Sequence, residues 1–135
     1  MPTPATTASR MIAHRIISLG AINAFIAVAA GAFAAHGLKH NISANNLAIF
    51  HTAADYQLAH ALGLLLLGLL YKMEPVRPIK ISAKLMLTGM IIFSGSLYIL
   101  ALSNIKWLGM ITPIGGLCLL ASWLIIGVSF FRKNN

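Results

Sequence analysis

Apolar residues fall into four runs separated by short polar breaks. The runs cover about residues 16–35, 58–71, 83–102 and 108–131. A helix needs about 20 apolar residues to cross the ~30 Å hydrocarbon layer, and the first, third and fourth runs meet that length. The second does not: Leu58–Leu70 is 13 residues, or about 20 Å of helix. It can span only by recruiting Leu47–Gln57, which contains neither Gly nor Pro and can continue the helix backwards. The expected second span is therefore residues 53–71, with His60 about 18 Å and Asp55 about 25 Å from Lys72 along the axis. Between runs, Lys72–Pro78 holds two prolines and reads as a turn, and Ser103–Lys106 as a tight connection. The stretch His36–Asn46 is the longest connection, with Ser43 or Asn45 as N-cap of the next helix.

Composition turns this pattern into a class. The chain has 135 residues, of which 59% are hydrophobic and 9% charged, and its mean hydropathy is +0.84. A soluble domain carries roughly 25% charged residues, and a body this small could not hide so much apolar surface. A single all-α domain over residues 1–135, an integral membrane four-helix bundle, is expected. The first run is longer than the ~7–15 residue core of a signal peptide and reads as a retained helix. The lone Cys118 excludes an internal disulfide and reads as a packing residue.

Charge sets the expected orientation. Ten Lys and Arg face two acids, for a net charge of +8. With four spans, Arg10, Arg15, Lys72, Arg77, Lys80, Lys84, Arg132 and Lys133 share one side, against Lys39 and Lys106 on the other, a division of 8 to 2. Short connections rich in Lys and Arg stay cytoplasmic, so both termini are expected inside. These cations read as contacts to lipid headgroups and as orientation signals rather than as a nucleic-acid surface. Trp107 reads as an interfacial anchor and Trp123 as a lipid- or bundle-facing side chain. Small residues at helical spacing (Ala27, Gly31 and Ala35; Gly89, Ser94, Gly95 and Ser96; Thr112 and Gly116) are expected to let helices approach closely.

Candidate chemistry lies in the polar residues that the spans carry into lipid: His36, His51, Asp55, Tyr56, Gln57 and His60, with Ser94 and Ser96 on the third helix. Intramembrane ionisable groups suggest function. His51 and Asp55 are four apart and share a face, so the carboxylate could fix the imidazole tautomer. His60, nine residues from His51, lies about 180° around the helix, so one straight helix cannot aim both at one metal. The alternative is that these groups hydrogen-bond across helices one to three, with Asn23, Ser94, Ser96 or Tyr98 as partners. No Walker loop, zinc-protease motif, nucleophile–base set or paired carboxylate is present. No metal or cofactor is expected.

Four ordered segments carry a resemblance. They are Gly31–Lys39 (GAFAAHGLK), Phe50–Leu62 (FHTAADYQLAHAL), Phe93–Leu102 (FSGSLYILAL) and Ile111–Leu117 (ITPIGGL). Together they resemble a family of small bacterial membrane proteins, the domain of unknown function 423 family, which has an animal relative in transmembrane protein 256. Ala34 and Asp55 depart from the family's usual residues. The resemblance implies a four-helix protein of the plasma membrane and no particular reaction, substrate or cofactor.

The resulting expectation is an uncharacterised, non-enzymatic inner-membrane protein, an accessory or lipid-associated binding protein. Its expected partners are membrane lipids and a larger membrane complex or a homo-oligomer, with no nucleic acid. The alternative function is a small oligomeric transporter or proton conductor using His36, Asp55 and His60.

Overall fold

The computed structural model describes residues 6–133, with the Lys133 side chain outside the described residues. All regular structure among them is helical: α1 (Thr7–Phe33), α2 (Ala44–Met73), α3 (Arg77–Ser103) and α4 (Thr112–Lys133). Each of the four helices is long and apolar enough to cross a membrane.

Local chemistry explains the boundaries. Thr6 caps α1, its hydroxyl accepting from the Ser9 amide at 3.2 Å. The far end of α1 widens into a π-helical turn, Ala34–Leu38. Ser43 caps α2 by accepting from the Asn46 amide at 3.2 Å. With no Gly or Pro to stop it, α2 takes in all of Leu47–Gln57 and runs for 30 residues, about 45 Å. It therefore outreaches the hydrocarbon layer. The expected turn at Lys72–Pro78 shrinks to Glu74–Val76, because Pro78 sits in the first turn of α3, where the missing N–H removes no helical bond. Asn104 ends α3 with φ 58°, a left-handed conformation that Asn tolerates better than most residues. A 3₁₀ turn, Lys106–Met110, leads into α4.

The helices alternate in direction, and each packs against its sequence neighbour. Two pairs of glycines set the closest approaches. A methyl group on Gly20 would lie 2.8 Å from the Leu65 backbone nitrogen, and one on Gly68 would lie 3.0 Å from that of Ile17. This fixes α1 tightly against α2. Likewise, a methyl on Gly89 would meet the Gly115 carbonyl oxygen at 2.8 Å, holding α3 on α4. The seam therefore differs in part from the expected small-residue stripes. Ala27 is buried, but Ala35 is exposed and nothing lies within 4 Å of a methyl placed on Gly31.

Between α2 and α3 the core is filled by larger residues, including Leu64, Leu67, Ile79, Met86 and Met90. A smaller cluster of Ala34, Leu38, Phe50 and Ala101 closes the opposite end. α2 is the central helix: 44% of its apolar window is buried, against 17% for α1 and for α4. The outer helices show large apolar side chains such as Phe25, Phe33, Leu117, Leu120 and Phe131 to the surroundings. That suits a lipid solvent, where exposed apolar area carries no penalty.

Candidate functional site

Three helices meet in one polar relay. Gln57, buried on α2, donates from Nε2 to Asn23 Oδ1 on α1 at 3.1 Å. It accepts at Oε1 from the Tyr98 hydroxyl on α3 at 2.7 Å. Asn23 in turn donates to the Leu19 carbonyl of its own helix at 2.9 Å. Gln57 suits this position because an amide offers both donor and acceptor. The Tyr98 ring packs on Phe50, with centroids 4.8 Å apart, which holds its hydroxyl toward Gln57.

His60 is buried one turn further along α2. Its Nδ1 donates to the Tyr56 carbonyl at 2.7 Å. A carbonyl can only accept, so Nδ1 carries the proton and Nε2 is the nitrogen left for another partner. The ring lies beside Tyr56 and Trp123, with centroids at 5.9 Å and 6.0 Å. Tyr56 itself stacks on Phe93 at 4.5 Å. Trp123 on α4 thus reaches across to α2, where its ring would also meet a methyl on Gly63 at 3.1 Å.

The expected polar residues therefore separate into distinct places. Gln57 bridges α1 and α3, while His60 is turned back onto its own helix. Ser96 lies 2.7 Å from Thr112 Oγ1 on α4 and donates to the Phe93 carbonyl at 3.0 Å. Ser94, 2% exposed, has no hydrogen-bond partner for its hydroxyl among the described residues. His36 is exposed on the π-helical turn, Asp55 is exposed on α2, and His51 is half-buried. No hydrogen bond or ion pair joins His51 to Asp55, although they share a face. Asp55 and His60 are five residues apart, about 140° around the helix. Among the described residues, no group of three or more His, Cys, Asp or Glu side chains is placed to hold a metal.

Two further polar links lie outside the expected set. Ser82 and Ser122 exchange bonds, each hydroxyl donating to the other's backbone carbonyl, at 3.2 and 2.9 Å. Asn46 donates to Asn104 Oδ1 at 2.7 Å, tying the start of α2 to the end of α3. No sequence signal marks the first: Ser82 stands between Lys80 and Lys84, just before the third apolar run, and Ser122 lies within the fourth. The second depends on how the ends of α2 and α3 meet, which the sequence does not give even with Ser43 or Asn45 as the cap of α2.

The basic side chains gather at one end. Arg10 and Arg15 start α1, Lys72 ends α2, Arg77, Lys80 and Lys84 start α3, and Arg132 ends α4. Lys39 and Lys106 lie at the opposite end. Recesses open at the basic end among the described residues. One, of about 280 Å³, is lined by Glu74, Val76, Pro78, Ile79, Ser129 and Phe130. A second, of about 500 Å³, is lined by Tyr71, Pro75, Arg77, Lys80, Ile81 and Lys84. A third, of about 110 Å³, is a largely apolar groove between α1 and α3 that runs over Leu64 of α2.

Residues 30–116 match the family described as Protein of unknown function (DUF423). The chain belongs to this family. It is similar to the UPF0382 membrane protein YwdK of Bacillus subtilis, at 45% identity over 84% of this chain and 93% of that relative. It is also similar to a UPF0382 membrane protein of Staphylococcus saprophyticus, at 43% identity over 86% and 96% of the two chains. No solved structure matches the chain. The DUF423 match runs from the end of α1 into the first turns of α4. It takes in Gln57, His60, Ser96, Tyr98 and Thr112, but not Asn23 or the cations of α1.

Proposed function

We propose that this membrane protein acts without catalysis, as a lipid-associated accessory component of the bacterial plasma membrane with both termini in the cytoplasm. The observation that carries the reading is the relay through Gln57, which spends three intramembrane polar side chains, Asn23, Gln57 and Tyr98, on one another. Asn23, Gln57 and Tyr98 lock three helices together, while Ser96 with Thr112 and Ser82 with Ser122 lock the fourth. Groups paired in this way hold helices in register and are not poised to bind a substrate. The collection of cations at one end supports the orientation, and the membrane-protein names of the Bacillus and Staphylococcus relatives support the location.

An accessory protein should be found with its complex. Crosslinking in native membranes followed by mass spectrometry is expected to recover a reproducible membrane partner of different sequence. Recovery of this chain alone, or of crosslinks no more frequent than chance neighbours give, overturns the accessory role.

A second reading rests on Asp55, a carboxylate exposed on α2 about 25 Å from Lys72 along the axis. In an oligomer, the exposed Asp55 and His36 of neighbouring copies would begin a proton path that each chain's own buried His60 continues. This reading expects pH-dependent flux into liposomes that is lost in Asp55→Ala and in His60→Ala. Flux unchanged in both variants excludes it.

A further inference from the structure

We infer that the α1–α2–α3 face at the basic end holds one anionic diacyl phospholipid. Its phosphate would sit against Arg77, Lys80 and Lys84, and an acyl chain would lie in the groove between α1 and α3. The inference rests on the lipid-associated reading above and names the lipid class and its site.

Three features of the surface converge on this occupant. The first is the shape of the cationic recess. Arg77, Lys80 and Lys84 line a space of about 500 Å³ together with the buried Tyr71, within the ordinary size of a small-molecule site. The α3 amino terminus opens beside it with no side-chain cap and no acid in its first turn, so the helix dipole adds to the positive field.

The second feature is the adjoining groove. Ile12, Ile16 and Leu19 form its α1 wall, and Ala83 and Leu87 belong to its α3 wall. These positions repeat at three- and four-residue steps, so each wall is a single helix face. An orientation signal needs only charge near the interface. It does not need an apolar cleft continuing beneath the charge.

The third feature joins the first two. Lys80 and Lys84 line both recesses. They are four residues apart on one face, and Lys84 lies about 10 Å further along α3 than Arg77. Their methylene stems can cover the apolar groove while their ammonium groups turn toward the cationic recess, as lysines near a membrane boundary do. A ligand that matches both recesses is anionic at one end and an alkyl chain at the other. A free phosphate would leave the groove unused, and a zwitterionic lipid would bring a second cation to a surface already crowded with them.

Native mass spectrometry of the full chain in neutral detergent tests this, with dioleoylphosphatidylglycerol, dioleoylphosphatidylcholine or inorganic phosphate added. One phosphatidylglycerol per chain is expected, retained at least tenfold better than phosphatidylcholine, with no displacement by inorganic phosphate. The double variant Lys80→Gln/Lys84→Gln removes both charges while keeping polar side chains, and should lose at least fivefold of that preference. Lys39→Gln/Lys106→Gln, at the other end, should lose none. Should the first variant fail to fold, a photoreactive phosphatidylglycerol on the unaltered chain decides, and label is expected on Ile12–Leu19 and on Ala83–Leu87. Equal retention of the two lipids, full preference in Lys80→Gln/Lys84→Gln, displacement by inorganic phosphate, or label confined to other segments each overturns the site. A specific membrane partner recovered by crosslinking beside such a result would leave the accessory role standing, so the two failures are distinguishable.

Discussion

At the residue scale, the bundle depends on a few polar and glycine positions that no neighbouring residue type could fill. Replacing Gln57 with Leu removes both bonds of the relay and leaves the Tyr98 hydroxyl and Asn23 Oδ1 without their partner. Hydrogen bonds between membrane helices contribute about 0.6 kcal/mol on average and up to about 1.7. Gln57→Leu should therefore lower stability by about 1–3 kcal/mol, measured by unfolding in mixed micelles. Tyr98→Phe, which removes one bond, should cost less, and the two effects should fall short of additivity in a double-mutant cycle. Gly115→Ala should be at least as damaging, since its methyl would meet the Gly89 carbonyl oxygen at 2.9 Å. Overpacking of this kind costs about 1–3 kcal/mol, and the same unfolding in mixed micelles would report it. The sequence offered Asn23, Ser94, Ser96 or Tyr98 as partners for the polar residues of α2, because polar residues in lipid must find one another; Asn23 and Tyr98 meet Gln57, whereas Ser94 and Ser96 do not bond to that set. The sequence did not point to Gly20 or Gly115. Small residues are spread over every helix face, and only the crossing geometry selects those that touch.

At the element scale, the informative case is α2. Its apolar run was too short to cross a bilayer, and the absence of Gly and Pro upstream implied a longer helix. The structure extends it to Ala44. What the sequence left open between Ser43 and Asn45 was the cap, and Ser43 fills that role. Ser43→Ala should destabilise the start of α2 by about 1 kcal/mol, seen as faster amide exchange over Ala44–Leu47 with little change beyond Phe50. The limited reach of the effect follows from Asn46, whose bond to Asn104 anchors the same turn from the other side. The π-helical turn at Ala34–Leu38 was not legible. It adds one residue per turn without any change in the hydrophobic pattern, and neither propensity nor capping residues announce it.

At the scale of the whole molecule, the asymmetry of charge makes a topological prediction. In a Cys118→Ser background, a cysteine at position 77 should be protected from a membrane-impermeant maleimide in intact cells, and one at position 106 should react. Labelling at position 77 from outside would reverse the orientation. Charge counting could make this prediction because every connection is short. The two recesses that share Lys80 and Lys84 were beyond its reach, since they depend on how far α1 and α3 stand apart over Leu64. The order in which the helices touch has a consequence of its own. Among the described residues each packs mainly on the segment immediately before it, and α1 and α4 do not run along each other, so the bundle is a folded strip rather than a closed ring. A chain inserted from its amino terminus always finds its next mate already in place. Assembly can proceed one hairpin at a time, with Gln57 of α2 completing its second bond only when α3 brings in Tyr98.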